Sequence, residues 1–469
     1  MIPTRYDFVV IGAGPAGQKA AIQAAKSGCR VLMIDRGGAV GGECVQRGTI
    51  PSKTLRETAA SFLGMRRRCP GLFSGEMSGE VRVNALMQRL AAVRDAHESF
   101  IGNQIDRNGI ELWRGRASFA APDVLEVTSV DGSHRRVTAT TFVIATGSRP
   151  RTPPNVPVDH EHLLDSDSIL SLIYLPKSLV VLGGGVIASE FATIFAALGS
   201  EVTMIDKAAR PLGFLDPELT DCFVTNLELN GSRFLGGRQI EKVEHDGVTT
   251  VTTTLAGGET VRSEKLLCAL GRVAQVRGLN VESIGLVMTP HGHIAVDACF
   301  RTAQPHIYAV GDVIGPPSLA ATSMEQGRRA ARHALGLALE SGAGPTPAGI
   351  YTIPEMATVG LTEAQAIERF GSAWVGRARY DELARGHIVG ETSGLLKLVA
   401  DPEGRVVGAH IIGENATELV HVAQMAIAAN FDTEAFVENI FNFPTLAEGY
   451  RVAALDIAGQ RHAARRAAA

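Results

Sequence analysis

The sequence has little of what marks several specialised protein classes. Its six cysteines form no CxxC pair, so the spacings typical of zinc knuckles and thioredoxin-like redox sites are absent. Only 5% of residues are aromatic, and 45 basic side chains against 49 acidic ones leave a net charge of −4. Charges of both signs are interspersed, which excludes a basic surface for nucleic acid or an anionic membrane. We therefore expect no metal site and no nucleic-acid or membrane partner. The cysteine pattern favours a reduced, cytoplasmic protein.

A secretory or membrane-spanning segment is not indicated either. Residues 1–7 carry no basic stretch ahead of an apolar core of signal-peptide length. The longest apolar stretch, residues 179–198, contains three glycines at 183–185 and the carboxylate of Glu190. Because a carboxylate in mid-bilayer is costly, this stretch predicts a buried strand, a turn and a helix. The basic residues 461–466 predict a short frayed tail.

The sequence does contain an internal repeat. The chain length itself predicts about three domains. Each copy reads as an apolar strand, a glycine-rich turn, a helix, a second strand and an acidic residue. Corresponding positions are 171 residues apart. These are Gly12 and Gly183, Gly14 and Gly185, Gly17 and Ala188, and Asp35 and Asp206. A single GxGxxG is weak evidence, but two ordered copies strongly predict two dinucleotide-binding units.

The repeat has a direct physical interpretation. Glycines let the main chain approach a pyrophosphate closely, and the helix that follows presents free N–H groups and a positive dipole to it. The acidic residue accepts a hydrogen bond from a ribose hydroxyl. Asp206 favours the 2′-hydroxyl of NAD(H), whereas Lys207 and Arg210 could accept a 2′-phosphate, so the second copy permits both nucleotides.

Other segments indicate the surroundings of these units. Asp131-Gly132 and Asp246-Gly247 lie among alternating apolar residues and predict the turns of β-hairpins, which would belong to inserted meanders. Thr146-Gly147 and Gly271 each follow an apolar strand, and Asp312 follows another. In an open α/β sheet, ligands bind at the carboxyl ends of such strands.

The C-terminal part has a different composition. A helix is predicted over about residues 320–339, and the stretch 342–347 predicts a linker. Beyond it we expect strands at 395–399 and 406–412. Helices are predicted to begin near Asn415 and near Pro444.

Residues 41–53, with the sequence GGECVQRGTIPSK, resemble the active-site segment of the FAD-dependent pyridine nucleotide-disulphide oxidoreductases. The two glycine fingerprints, Thr146-Gly147 and the AVGD stretch at 309–312 match that family in the same order, over nearly the whole chain. The resemblance implies an α/β fold with two Rossmann-like domains, for FAD and NAD(P), each carrying a β-meander insertion. A C-terminal α+β dimerisation domain would complete a homodimer.

The resemblance also implies domain bounds and binding residues. The FAD-binding domain would comprise 1–150 and 272–345, the NAD(P)-binding domain 151–271, and the dimerisation domain 346–469. Asp312 would meet the ribityl chain, and the helix opening at Ala320 would aim its N–H groups at the flavin. The cofactor-binding candidates are Gly12, Gly14, Gly17, Asp35, Cys44, Thr49, Lys53, Thr146, Gly147, Gly183, Gly185, Ala188, Glu190, Asp206, Lys207, Gly271, Asp312 and Ala320.

Departures from the family pattern restrict the chemistry. The dithiol members carry a CxxxxC pair, whereas this chain has Cys44 followed five residues later by Thr49. Those members also place a His before a Pro-Thr near the C-terminus, where this chain has Phe443. The nucleophile pair and the proton carrier of disulphide chemistry are therefore incomplete. Cys44 itself could be no more than a buried, inert thiol.

Lys53 and Glu190 match the pair that, in this family, lies beside flavin N5 where the nicotinamide docks. Without the family context, a lysine and a glutamate on buried helices are as readily explained by a structural ion pair. With it, both become the catalytic candidates.

The resemblance is strongest to members that transfer hydride between NADPH and NAD+ in a ping-pong cycle through FAD. Stretches that carry this closer match are residues 50–56, 164–170, 351–355, 441–445 and 451–455. One alternative is an NAD(P)H dehydrogenase that reduces a quinone or oxygen. Another, of a different class, is a nucleotide-binding redox sensor without turnover.

Overall fold

The computed structural model describes residues 4–68, 82–339 and 344–468. Their contacts divide the chain into two compact units. The first unit comprises Met1–Thr54, Asn84–Arg151 and Gly271–Gly342. The second comprises Leu55–Val83, Thr152–Leu270 and Ala343–Ala469. Cys69 and part of the expected linker at 342–347 lie outside the described residues.

The described residues alternate between strands and helices along the chain. The strands are β1 Thr4–Ile11, β2 Val31–Asp35, β3 Glu111–Ala121, β4 Val124–Ser129, β5 His134–Ile144, β6 Ser148–Pro150, β7 Leu163–Asp165, β8 Ser178–Leu182, β9 Glu201–Ile205, β10 Arg233–Leu235, β11 Ile240–His245, β12 Val251–Leu255, β13 Thr260–Ser263, β14 Lys265–Cys268, β15 Arg272–Ala274, β16 Ile307–Ala309, β17 Ala348–Ile350, β18 Met356–Gly360, β19 Trp374–Arg379, β20 Leu395–Ala400 and β21 Val406–Ile412. The helices are α1 Pro15–Lys26, α2 Gly42–Gln46, α3 Thr49–Arg68, α4 Val83–Arg107, α5 Val186–Leu198, α6 Pro217–Leu229, α7 Ala320–Ala334, α8 Glu363–Phe370, α9 Ala384–Val389, α10 Ala416–Ala428, α11 Glu434–Glu438 and α12 Glu448–Ala468.

The first unit is built on a parallel sheet. Strands β2 and β5 flank β1, β3 continues the sheet beyond β2, and β16 continues it beyond β5, all in parallel pairs. The far ends of β3 and β5 extend out of this sheet and pair antiparallel with β4. Buried apolar side chains, among them Phe8, Val10 and Val143, fill the face that packs against α1. The carboxyl ends of the parallel strands therefore meet at one edge, next to the turn after β1.

The second unit repeats the parallel arrangement and adds an antiparallel sheet. Strands β10, β9, β8, β14 and β7 pair parallel in that order. A separate antiparallel meander contains β11, β12 and β13. The C-terminal part forms a five-stranded antiparallel sheet in the order β17, β18, β21, β20, β19, with α10 and α12 covering buried side chains such as Leu398 and Ile411. The predicted α/β class is confirmed.

Both predicted hairpins form. Gly132 and Gly247 have left-handed φ angles of 81°, between β4 and β5 and between β11 and β12 respectively. Residues 179–198 fold as the expected strand, turn and helix, with Glu190 buried. Among the described helices, none is both long enough and apolar enough to cross a bilayer.

Two predicted ends were wrong. Helix α7 stops at Ala334 rather than near residue 339, because Gly336 takes a left-handed φ of 66° and the Leu337 N–H donates to the Arg332 carbonyl at 2.9 Å. Such a bond closes the last turn of a helix. The basic tail is not frayed, since α12 continues through it to Ala468. There the Arg461 guanidinium donates to the Glu403 carbonyl at 2.8 Å.

A buried charge cluster joins α6 to the antiparallel sheet within the second unit. Lys397 on β20 is only 2% exposed, and its ammonium lies 3.0 Å from Asp216, 2.5 Å from Glu218 and 2.8 Å from Glu363. Arg377 on β19 donates two hydrogen bonds to Glu218. Hydrogen bonding by Arg377, together with Lys397, lowers the pKa of Glu218 to about 2. The cluster is electrostatically compensated only while Lys397 is present.

Replacing Lys397 by Met should therefore destabilise the second unit strongly. The substitution leaves the buried Asp216 carboxylate without its cation, and we expect a loss of about 3–5 kcal/mol in the free energy of unfolding. Urea titration followed by circular dichroism measures this loss. As a control, Lys242→Met removes an exposed pair with Glu244 and should cost at most about 1 kcal/mol. Equal effects of the two substitutions would contradict the assigned role of the cluster.

Candidate functional site

The first glycine turn lies where β1 ends and α1 begins. A Cβ on Gly12 would lie 2.3 Å from the Ala145 carbonyl oxygen at the end of the neighbouring strand, and one on Gly17 would lie 1.9 Å from the Gly12 oxygen. Neither distance is sterically allowed. Gly14, in contrast, faces open space, with the nearest atom to its Cβ position 3.9 Å away. The turn thus offers bare main chain and the start of α1 to a ligand, as a pyrophosphate requires.

Asp35 closes this site at the end of β2. One carboxylate oxygen accepts from the Ala13 N–H at 2.7 Å, and the other accepts from the Gly37 N–H at 2.7 Å. The carboxylate is therefore fixed against the glycine turn by two backbone donors. It remains half-buried, so its outer face stays available to a ribose hydroxyl.

The second glycine turn has the same construction at the end of β8. A Cβ on Gly183 would lie 2.6 Å from the Ala269 carbonyl oxygen, while Gly185 has nothing within 4 Å of its Cβ position. Ala188, at the third position of the fingerprint, is fully buried in α5. The carboxyl carbon of Asp206 lies 3.0 Å from the Cβ position of Gly184. Asp206 is thus directed at the glycine turn, and its Oδ1 accepts a hydrogen bond from the Ala208 N–H at 2.6 Å.

The two basic candidates near Asp206 differ in their surroundings. Lys207 and Arg210 are both exposed. The Arg210 guanidinium pairs with Asp221 on α6, and this partner raises the pKa of Arg210. An exposed pair of this kind contributes little to stability and is readily exchanged for another anion.

A second polar group lies at the carboxyl ends of β5 and β16 in the first unit. The Ser148 hydroxyl donates to Asp312 at 2.7 Å and accepts from the Arg272 guanidinium at 2.7 Å. This chain fixes the Asp312 carboxylate. The adjacent Thr146 hydroxyl is buried and has no partner among the described groups. A buried hydroxyl without a partner is costly, so Thr146 and Gly147 mark a place where a polar ligand atom fits.

The start of α7 lies next to Asp312. The helix begins at Ala320, and no side chain caps its first N–H groups. In the preceding turn, the Gly311 N–H donates to the Gln326 side chain at 2.8 Å. Gly271, another cofactor-binding candidate, has nothing within 4 Å of its Cβ position. Its carbonyl accepts a hydrogen bond from the Arg151 N–H at 3.0 Å.

Cys44, Thr49 and Lys53 occupy α2 and the first turns of α3. Burial raises the pKa of the Cys44 thiol, against the smaller opposing effects of a hydrogen bond from Thr49 and the charge of Lys53. Asp312 raises this pKa further through its charge. No disulphide joins any of the five described cysteines. Cys44 is therefore a protonated thiol facing a hydroxyl where the dithiol enzymes have a second sulfur.

Glu190 lies in the second turn of α5 and is only 4% exposed. Its Oε1 accepts from the Tyr351 N–H at 3.0 Å, and the loop 351–355 therefore contacts α5 directly. Lys53 and Glu190 belong to different units.

Asp159, His162 and His245 form a group of metal-ligand types, with atoms within 4.8 Å of one another. The two imidazole rings stack at 3.9 Å with planes inclined by only 19°. The lone pair of an imidazole nitrogen lies in the plane of its ring. Because the two rings are stacked, the lone pairs of His162 and His245 do not point at a common metal ion. The Asp159 carboxylate already accepts three backbone N–H groups.

The sequence analysis missed the residues that support the candidates. Ser148 and Arg272 carry no recognisable pattern, although both neighbour predicted strand ends. Arg56 and Glu355 form a buried ion pair at 3.1 Å and were noticed only as parts of similar stretches. These contacts join residues that are far apart in sequence, so no local sequence pattern predicts them.

Comparison with known proteins gives a consistent result. Residues 6–327 match the family model "Pyridine nucleotide-disulphide oxidoreductase", and residues 346–454 match that family's dimerisation domain. The soluble pyridine nucleotide transhydrogenase of Mycobacterium tuberculosis is 42% identical over 98% of both chains. That of Hahella chejuensis is 39% identical over 97% of this chain and 99% of its own. The crystal structure of LpdA from Mycobacterium tuberculosis superimposes with a TM-score of 0.88 at 27% identity, covering 96% of this chain and 99% of LpdA.

The raised pKa of Cys44 predicts a slowly reacting thiol. Because only the thiolate is alkylated, iodoacetamide should leave Cys44 unmodified near neutral pH while it modifies the same cysteine in the urea-unfolded chain. Modification should accelerate as the pH rises through and beyond the ordinary thiol range. Peptide mass spectrometry across a pH series measures this. Rapid alkylation of Cys44 in the folded protein at neutral pH would contradict the raised pKa of this thiol.

Proposed function

The chain belongs to the pyridine nucleotide-disulphide oxidoreductase family, and on that premise we propose that it is a soluble pyridine nucleotide transhydrogenase acting between NADPH and NAD+. The observation that carries the proposal is the pairing of Cys44 with Thr49. Two dinucleotide-type turns are intact, whereas the dithiol that would pass electrons to a disulphide substrate is absent. The acceptor that the two intact dinucleotide turns can still bind is a second nicotinamide nucleotide.

FAD suits the first unit. Gly12, Gly14 and Gly17 provide the pyrophosphate turn, Asp35 the ribose acceptor, and Asp312 a fixed carboxylate for a hydroxylated chain. The unpartnered Thr146 hydroxyl and the open main chain at Gly147 and Gly271 complete the polar lining. When bound, FAD supplies a centre that accepts and returns hydride, which no side chain can do. The uncapped start of α7 at Ala320 directs N–H groups and a positive dipole that favour negative charge there.

NADPH and NAD+ would occupy the second unit in turn, in a ping-pong cycle. Gly183, Gly185 and Ala188 shape the pyrophosphate turn, and Asp206 with Lys207 receives the adenosine ribose. Glu190 would hold the nicotinamide end through its carboxylate, and Lys53, near Cys44, would act as a fixed positive charge. The protein's contribution is positioning and electrostatics.

The assembly and domain roles follow the family. We assign residues 1–150 and 272–345 to the FAD domain, 151–271 to the NAD(P) domain and 346–469 to the dimerisation domain of a homodimer. Exposed apolar side chains in the last segment, including Ile440 and Phe443, support a covered face. The cytoplasm, where both nucleotides are present, is the proposed location.

A quinone or oxygen reductase is the second candidate. It is favoured only by Phe443, whose exposed apolar ring stands where the dithiol members have a proton-carrying His. A sensor without turnover finds no specific support.

Anaerobic half-reactions test the proposal. NADPH should bleach the yellow absorbance of the holoenzyme, and NAD+ should restore it at least as fast as steady-state turnover. Menadione offered in place of NAD+ should restore it more slowly. Bleaching by NADPH without restoration by NAD+ would refute transhydrogenation, and faster restoration by menadione would favour the quinone reductase.

Asp206→Ala should shift the nucleotide preference. Removal of a charged acceptor for the 2′-hydroxyl should lower kcat/KM for NADH relative to NADPH by about tenfold, as expected for one lost hydrogen bond to a charged group. Steady-state kinetics with both donors measures the ratio. Glu244→Ala, on the exposed meander of the same unit, is the matched control and should leave the ratio unchanged. If the ratio in Asp206→Ala also stays constant, Asp206 does not contact the ribose.

A further inference from the structure

Arg56, the last residue of the stretch 50–56, and the loop 351–355 both lie in the second unit and are in contact there. The Arg56 Nη1 lies 3.1 Å from Glu355 Oε1, and its Nε donates to the Thr352 carbonyl at 3.1 Å. Both charged side chains are only 9% exposed. One guanidinium thus holds two points of a single five-residue loop.

The same loop is fixed at its C-terminal end. It joins β17 to β18, whose residues Ile350 and Met356 are paired. The Glu355 Oε2 accepts from both the N–H and the hydroxyl of Thr417, at 3.1 Å and 2.8 Å. Both oxygens of the Glu355 carboxylate are therefore engaged, which compensates its burial.

The opposite side of the loop contacts α5. The Tyr351 N–H donates to Glu190 Oε1 at 3.0 Å, and the Ile353 N–H donates to the Thr193 hydroxyl at 3.1 Å. Glu190 and Thr193 are three residues apart and share one face of the helix. Two alternate N–H groups of the loop thus reach two neighbouring acceptors on α5.

We propose that the Arg56–Glu355 ion pair positions Glu190 for hydride transfer by fixing the loop 351–355. A glutamate side chain has several accessible rotamers, and a backbone N–H can select one of them only if that backbone is itself immobile. Arg56, Glu355 and Thr193 immobilise it. They are positioning residues, since they act on the reaction through the Glu190 carboxylate and touch no substrate themselves.

The inference rests on the proposed function only in assigning Glu190 to the nicotinamide end. A purely structural ion pair would affect folding, FAD content and thermal stability. A positioning pair affects, in addition, the rate constant of hydride transfer in properly folded holoenzyme. These two roles are separable because flavin reduction by NADPH can be measured in a single turnover.

The test compares Glu355→Gln, Thr193→Val and Arg56→Lys as holoenzymes in anaerobic stopped flow. Glu355→Gln keeps the side-chain shape but removes the charge that ties Arg56 to the loop, while Arg56 keeps its contact with the exposed Glu57 at 2.6 Å. We expect its limiting rate of flavin reduction by NADPH to fall about tenfold, since small displacements of an aligned group are this costly. Thr193→Val should lower the rate in the same direction. Arg56→Lys, which keeps the charge but loses the two-point contact, should be intermediate.

Two controls make the result specific. Thr220→Val, a buried helical threonine of α6 whose hydroxyl bonds only the Pro217 carbonyl in the described contacts, should leave the rate unchanged. In a Glu190→Gln background, adding Glu355→Gln should cost less than about twofold, because residues that act through one group are not additive. The dissociation constant of NADPH should change little in Glu355→Gln, Thr193→Val and Arg56→Lys.

Each outcome decides the question. An unchanged reduction rate in both Glu355→Gln and Thr193→Val, or full multiplicative losses in the Glu190→Gln background, would overturn the inference. If Glu355→Gln fails to retain FAD, Thr193→Val decides alone. Wild-type enzyme that is reduced by NADPH but not reoxidised by NAD+ would refute the proposed function, while the comparison of reduction rates would still test the role of the loop.

Discussion

The close approach of the chain to itself at the end of each first strand is the constraint on which the candidate site depends. The carbonyl of Ala145 occupies the space that a side chain at Gly12 would need, and Ala269 does the same at Gly183. Only glycine can take these places. The neighbouring strand therefore closes each turn from behind, and the turn is open to a ligand only from the side that Gly14 and Gly185 face. The two sites follow from parallel sheets whose strands end at one edge.

The two copies of this arrangement have diverged at the positions that distinguish ligands. Asp35 is fixed by two backbone donors, one of them in the glycine turn itself. Asp206 points at its turn, but among the described contacts its carboxylate accepts a hydrogen bond only from its own loop. Exposed basic residues lie beside it. A rigid acceptor suits a cofactor that stays bound. A more adaptable one suits NAD and NADP, which differ at the ribose.

Much of this organisation could be predicted from sequence because it is local. The glycine spacing and the apolar runs placed the strands and helix of both glycine repeats, and two of the five strands of the C-terminal sheet, within a few residues. The Asp-Gly pairs placed both hairpins. The end of α7 was misplaced because an apolar stretch continues past Gly336, whose conformation decides the boundary. The Arg56–Glu355 pair and the contact of Lys397 with Asp216 could not be predicted, because these partners lie 299 and 181 residues apart along the chain. Burial of such charges becomes understandable only when all partners are known.

The replacement of a second thiol by Thr49 has a consequence for chemical sensitivity. Trivalent arsenicals inhibit dithiol enzymes by bridging two neighbouring sulfurs, and the geometry of that chelate requires both. In residues 41–53 the chain offers only the protonated sulfur of Cys44 beside a hydroxyl, so no such ring can close there. Residues 41–53 would therefore stay unbridged under conditions in which a pair of neighbouring thiols is chelated.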